Sequence, residues 1–374
     1  MKQHILLATG IYPPDIWWPA SYVPKIAKRM LQDNIVPLVI TYSDSDFVST
    51  YDTLGYRVIR ITRSSFFVRH YLKYRRAVLE YWRACDMIFL QDYSSSWIPT
   101  LLANLLLRKR VITKVVGIFS REQAQNRGLT TDILDTYVLR NQWWWLQLAK
   151  KFEAFLLNAA DQVITPSNYM KELLTRFWVT KTPIEVIYNS FDPFAFTPID
   201  LQATKREMGI EHKKIYVSVG RLVAWKNFDA LIKSFQKVDE AVLYIIGDGP
   251  LKQQLQELIE QTGQTEKVIL VGSLAKDQVY RYYQLADAFV LISDYEWMSH
   301  VLLEAMAMWL FIISSDITPN VETLEQYASK RIVPISDAID LTLSESVHEK
   351  APSDLSAFDF ERLYSKLKEI LHLR

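Results

Sequence analysis

The sequence predicts an α/β protein made of two tandem, Rossmann-like doubly wound parallel-sheet domains. Three observations carry this expectation: a length of 374 residues, long for one hydrophobic core; short, continuous β-branched runs; and amphipathic stretches of helical period between them. Continuous apolar runs suit strands covered on both faces, the condition of a parallel sheet. In the first half the runs are Ile5–Ala8, Pro37–Thr41, Arg57–Ile61, Met87–Leu90, Val111–Val116, Gln162–Thr165 and Ile184–Ile187. In the second half they are Ile215–Val219, Val242–Ile246, Val268–Val271, Ala288–Ile292 and Phe311–Ser314. Asn, Asp and Pro punctuate Tyr188–Pro193 and mark the hinge. The expected domains are therefore 1–188, 189–355 and a C-terminal segment 356–374, with an amphipathic helix over Phe358–Leu371.

Composition bounds the function. Lys plus Arg number 43 against 42 Asp plus Glu, so no global field recruits nucleic acid or a strongly acidic partner. Cys85 is the single cysteine, which excludes an intrachain disulfide framework and suits a reducing, cytoplasmic setting. The histidines are scattered at no metal-ligand spacing, so no metal and no cofactor are expected. The apolar start breaks at Thr9-Gly10 and Pro13-Pro14, too soon for a signal-peptide core, and reads as a buried strand. The stretch Val301–Ser314 contains Glu304 and is shorter than the roughly 20 residues of a membrane span. Asp44-Ser45-Asp46 reads as a solvated loop. The aromatic and basic stretch Phe66–Arg83 has helical spacing; it fits an ordinary packed helix with solvated cations, or a helix lying in a membrane interface.

In open α/β sheets ligands bind beyond the carboxyl ends of the strands, so chemistry is sought in the loops that leave them. After Val219, Gly220 to Lys226 sets Arg221 and Lys226 on one turn, a planar fork and a mobile point charge suited to a diphosphate, or simply two solvated cations. After Ile246, Gly247-Asp248-Gly249-Pro250 permits close backbone approach, or is a tight turn ahead of a helix beginning at Pro250. After Ile292, Glu296 lies on a loop and Glu304 in the next helix. That helix, starting near Ser299, would aim its first amides at an anion. Glu304 among apolar neighbours would be costly to bury without hydrogen-bond donors, which ribose hydroxyls would supply.

Taken together, Gly220-Arg221-Leu222 through Lys226, the Ile246–Pro250 turn, Glu296 and Glu304 at a spacing of eight, Val186–Asn189, Ala160–Ser167 and Ala8–Pro14 resemble the family-four retaining glycosyltransferases of the GT-B fold, which carry an E-x7-E signature. The resemblance implies transfer of a hexose from a UDP- or GDP-linked sugar, bound by the second domain, to a glycan or lipid-linked acceptor at the first. It places Arg221 and Lys226 on the diphosphate, Glu304 on the ribose and Glu296 on the sugar, with Glu296, Arg221 and Lys226 as the catalytic set. Gly220, Gly247, Met298, Ser299, His300 and Val301 would line the donor, with backbone amides of Trp297 to His300 around sugar and phosphate, and Gly272 to Leu274 would face the base. Retention by same-face attack would need no protein nucleophile. The last helix would pack back on the first domain, and a cytoplasmic protein could touch the inner membrane surface peripherally.

The sequence departs from the family pattern at Trp17, Trp18, Trp297 and Trp309, and at Trp178, where relatives usually or often have glycine. With 11 Trp and 10 Gly, the replacement looks systematic. A stop codon reassigned to glycine in the source but translated as tryptophan would produce it, extending to part of Trp143–Trp145. Genuine tryptophans would instead favour an inactive GT-B scaffold or a nucleotide-sugar-binding protein. Phe311, Ser190 and Ile118 also depart. Ser120, Arg121 and Glu122 are candidate polar contacts from the first domain. An epimerase or phosphorylase would need acid, base or cofactor residues for which no signature is found.

Overall fold

The structure, a computed structural model, describes residues 2–15, 18–44, 55–64, 67–91, 95–130, 132–141, 143–191, 198–335, 339, 341 and 354–372. The chain divides into two compact units, Met1–Ile187 with Tyr364–Arg374, and Tyr188–Leu363.

The first unit carries strands β1 His4–Ala8, β2 Val36–Ser43, β3 Arg57–Thr62, β4 Met87–Leu90, β5 Arg110–Lys114, β6 Gln162–Thr165 and β7 Ile184–Val186. Its helices are α1 Trp18–Gln32, α2 Phe67–Tyr81, α3 Trp97–Leu107, α4 Phe119–Asn126, α5 Leu134–Leu139, α6 Trp144–Leu157 and α7 Asn168–Arg176. Among the described residues the sheet is parallel throughout, in the order β3-β2-β1-β4-β5-β6-β7. Ile5 pairs with both Pro37 and Met87, so β1 is central, and residues 5–8 are fully buried. The expected strand to Val116 ends at Lys114 instead. The Ala160–Ser167 segment closes β6 and caps α7, where the Ser167 hydroxyl accepts the N–H of Met170 at 3.2 Å.

The second unit carries β8 Lys214–Val219, β9 Ala241–Ile246, β10 Val268–Gly272, β11 Ala288–Leu291, β12 Phe311–Ser315 and β13 Lys330–Val333. Its helices are α8 Leu201–Glu207, α9 Phe228–Phe235, α10 Lys252–Gln261, α11 Lys276–Leu285, α12 His300–Ala307 and α13 Thr318–Thr323; the last helix, α14 Phe360–Ile370, begins here and from Tyr364 onward belongs to the first unit. The order is β10-β9-β8-β11-β12-β13, again parallel. Alternate residues of β9 enter two different cores: Val242, Tyr244 and Ile246 one, Ala241, Leu243 and Ile245 the other. Both faces of the sheet are thus covered, which is why the strand reads as a continuous apolar run.

Strand β13 was not anticipated, because Lys330-Arg331-Ile332-Val333 is an edge strand with two cations. The helix expected from Pro250 starts two residues later, since Leu251 first donates its N–H to Leu222 O at 3.1 Å. The last helix begins at Phe360 behind a short 3-10 turn, Ser356–Phe358, rather than at Phe358. Cys85 lies in the core.

Candidate functional site

The strand order of the second unit reverses between β8 and β11, so a crevice opens beyond their carboxyl ends. Three successive glycines line that edge. Gly220 N–H donates to Ile246 O at 3.0 Å, and Gly247 N–H to Gly272 O at 2.9 Å. The backbones approach so closely that a Cβ on Gly247 would sit 1.9 Å from Gly220 O, and one on Gly249 would sit 2.4 Å from Leu222 O. Only glycine fits either place.

The loop after β8 is stitched to its neighbours. Leu222 N–H donates to Asp248 O at 3.0 Å, Asp294 N–H to Trp225 O at 2.8 Å, and Asn227 Nδ2 to Asp294 Oδ1 at 2.7 Å. Lys226 therefore ends its 3-10 turn pointing at the loop after β11, where its ammonium pairs with the Glu296 carboxylate. Both side chains are nearly buried, at 13% and 10% exposure, so the pair is little screened by water. Arg221 stands exposed earlier in the same loop. Of the residues expected for diphosphate and sugar, Lys226 and Glu296 are thus in contact.

Helix α12 starts at His300, with Ser299 at the N-cap making no side-chain capping bond, so the first-turn amides are not spent on a capping hydroxyl. The Met298 side chain lies in the core, where its sulfur accepts the Asn189 N–H at 3.3 Å, which leaves its backbone as the part that a donor would meet. Val301 and Leu274 are half-buried and pack on the same core. Glu304 is not left to await a ligand. Lys276 Nζ lies 3.4 Å from its Oε1, and the Tyr283 hydroxyl lies 3.5 Å from Oε2. Burial pushes its carboxyl above the ordinary range while Lys276 and Tyr283 oppose the shift. The two carboxylates therefore answer to different cations. Lys276, Tyr283 and Asn227 were missed from sequence; the signal for the first two was the unmet need of a buried Glu304 for donors.

Trp297 is half-buried, its ring edge-on to Tyr295 with centroids 5.6 Å apart. Trp17 lies outside the described residues, as do Ser45 and Asp46; Asp44 pairs with Arg63 at 2.9 Å. In the first unit, Ser120 N–H is held by Glu153 at 2.9 Å and Arg121 Nε by Asp132 O at 2.9 Å, which gives both a structural task. Burial pushes the Glu122 carboxyl up to about 7. Among the described residues no group of three or more His, Cys, Asp or Glu is placed to hold a metal, and no helix is long and apolar enough to cross a membrane.

Known proteins share this architecture. The HepE protein of Anabaena, solved in complex with UDP-glucose, superposes with a TM-score of 0.78 at 18% identity, over 99% of each chain. Sucrose-phosphate synthase of Thermosynechococcus elongatus superposes at 0.75, with 18% identity over 99% of this chain and 98% of that one. These likenesses establish the fold, α/β of the GT-B class. Among curated proteins, an uncharacterised glycosyltransferase of Methanocaldococcus jannaschii is 33% identical over 166 residues, 42% of each chain. An N-acetylgalactosaminyltransferase of Campylobacter jejuni, which acts on a diphospho-undecaprenol-linked saccharide, is 30% identical over 172 residues, 45% of each chain. The matched segments span less than half the length of either relative. The family model described as Glycosyltransferase Family 4 matches residues 20–193, and that described as Glycosyl transferases group 1 matches residues 202–346. With these two models covering most of both units, the chain belongs to glycosyltransferase family 4.

Proposed function

We propose that this chain is a retaining glycosyltransferase that moves a hexose from a UDP- or GDP-linked sugar to a glycan or lipid-linked acceptor, without a metal. The observation that carries the reading is the meeting of Lys226 and Glu296 at the reversal point of the second sheet, flanked by Arg221 and the amides of α12. A sugar diphosphate supplies the two chemistries this group would recognise. Its phosphates take the cations and the helix N-terminus, and its sugar hydroxyls take the carboxylate. As the glycosidic bond breaks, negative charge grows on the departing diphosphate, and Lys226 and Arg221 stabilise it more than they do the intact donor. Glu296 then faces the carbon where positive charge develops. Glu304 holds the ribose at the other end, with Lys276 and Tyr283 beside its carboxyl to orient it. A lipid-linked acceptor would bring this activity to a membrane surface, which we propose is the cytoplasmic face.

The test is nucleoside diphosphate release with UDP- and GDP-sugars and candidate acceptors, run on the parent and on Trp297→Gly. Glu296→Gln should lower kcat about 100-fold with little change in donor KM, whereas Glu304→Gln should mainly raise donor KM. No release with any donor from either protein, together with no nucleoside diphosphate binding, overturns the reading.

A further inference from the structure

The first unit holds a layer of helices whose outward side the donor chemistry does not use. Helix α2 packs along α3, α4 packs on α6, and Trp97 of α3 lies against Phe119 of α4 with ring centroids 6.4 Å apart, so the four form one layer. Its outward side is apolar where a soluble surface is normally polar. On α6, Leu148, Phe152 and Phe155 follow one exposed arc at 57%, 46% and 58% exposure. Leu105 and Leu106 of α3 and Val68 and Leu72 of α2 are exposed as well. Trp143 and Trp144 lie beside the α6 stripe, which stands without them.

The charge on this side has one dominant sign. Glu153 of α6 turns inward to accept the N–H groups of Phe119 and Ser120, and Lys150 turns inward to donate to the carbonyls of Tyr137, Val138 and Arg140. Lys151 is then the charge left on the exposed arc of α6. Helix α3 has no charged residue and ends at exposed Arg108. Helix α2 carries Arg69, Lys73, Arg75 and Arg76 against Glu80. An apolar cavity of about 190 Å³ between α3, α4 and α6 has exposed Leu129, Phe152 and Arg127 in its lining.

We propose that this layer docks on an anionic lipid bilayer, with the α6 stripe in the interface and the flanking cations over the headgroups. Exposed apolar stripes of this extent mark contact surfaces, and the exposed cations Arg69, Arg76, Arg108 and Lys151, outnumbering the exposed Glu80 of α2, match anionic lipid. A second copy is a poorer occupant, because a two-fold interface would set this cationic face against itself. The inference deepens the lipid-linked acceptor reading and rests on it for its biological sense.

Flotation of the full chain with vesicles tests it, comparing phosphatidylcholine alone with phosphatidylcholine containing phosphatidylglycerol. The parent should float several-fold more with the anionic vesicles, less so at high salt. The Leu148→Ser, Phe155→Ser double variant should lose bound fraction on the order of tenfold with an unchanged melting curve, since both side chains are exposed in the parent. Lys151→Glu should lower the preference for the anionic vesicles. Nucleoside diphosphate affinity is read on the same samples: absent flotation with donor binding intact overturns the docking alone, and absent donor binding with flotation intact overturns the donor reading alone. Equal flotation of parent and double variant, or light scattering that shows the double variant turning a dimer into a monomer, also overturns the docking.

Discussion

Trp178 and Trp309 occupy the same position in two helix closures of one type. Trp178 N–H donates to Thr175 O at 3.2 Å and Val179 N–H to Leu174 O at 3.1 Å; Trp309 N–H donates to Met306 O at 3.0 Å and Leu310 N–H to Ala305 O at 3.1 Å. Each tryptophan has the left-handed backbone this closure needs, with φ of 64° and 58°. The same pair of bonds recurs in this chain around Gly128, Gly209 and Gly263, whose φ values are 68°, 65° and 66°, and around Asn34. A bulky side chain there costs roughly 1–2 kcal/mol in steric strain.

Glycine at these positions should therefore stabilise the fold relative to alanine, against the usual order. Trp178 is the cleaner site, because the residue is 44% exposed. Trp178→Gly should be about 1 kcal/mol more stable than Trp178→Ala, both having lost the same ring. Urea unfolding of the two variants measures the difference; an alanine variant as stable as the glycine one would remove the strain argument. Peptide mass spectrometry of the protein from its source should show glycine at 178 and 309, as a reassigned codon requires, and tryptophan at both would end that explanation.

The Lys226–Glu296 pair sets the second prediction. A bound diphosphate competes with Glu296 for the same ammonium, so Lys226→Ala should weaken nucleoside diphosphate binding by roughly 10–100-fold, the effect of about 1.5–3 kcal/mol from a lost charge-assisted bond. It also strands a nearly buried carboxylate, so it should destabilise the protein more than Arg221→Ala, whose side chain is exposed. Calorimetry and melting curves on the two variants separate these effects. Equal destabilisation by both would deny the pair its structural part.

Glu304 makes stability depend on pH with a defined sign. Its raised folded value means the folded state holds this proton to higher pH than the unfolded chain. The stability difference between parent and Glu304→Gln should therefore fall as pH rises from the ordinary carboxylate range through the raised value, and be flat beyond it. Lys276→Ala removes the opposing cation and should steepen the fall. Urea unfolding across pH reads this directly, and a flat difference throughout would show that burial does not govern this carboxyl.

The C-terminal residues are expected to be structural. Lys368 lies 3.2 Å from Asp33, Arg110 Nη2 donates to Ile370 O at 2.8 Å, and the Arg29 guanidinium sits 4.6 Å from the centre of the Tyr364 ring. Leu367 is 1% exposed, so Leu367→Ala should cost about 2–5 kcal/mol. Removal of residues 364–374 should lower the melting temperature and increase hydrophobic dye binding. A melting curve like the parent's would make this segment a tail.

The sequence by itself determined the strands that lie in the interior of each sheet, because a strand covered on both faces must be apolar at every position, and Val242 to Ile246 shows that plainly. It also determined the glycine turns, since the close approach of Gly247 to Gly220 admits no Cβ. An edge strand such as β13 has no such requirement, and its two cations hid it. The tertiary structure alone decided which charges meet. Lys226 and Glu296 stand 70 residues apart, and they pair because β8 and β11 are neighbours where the strand order reverses. Lys276 reaches Glu304 from a helix whose local pattern carries no sign of it. It alone also separated Met298, turned into the core, from the uncapped turn of α12 beside it, because burial of a side chain depends on what the rest of the chain brings against it.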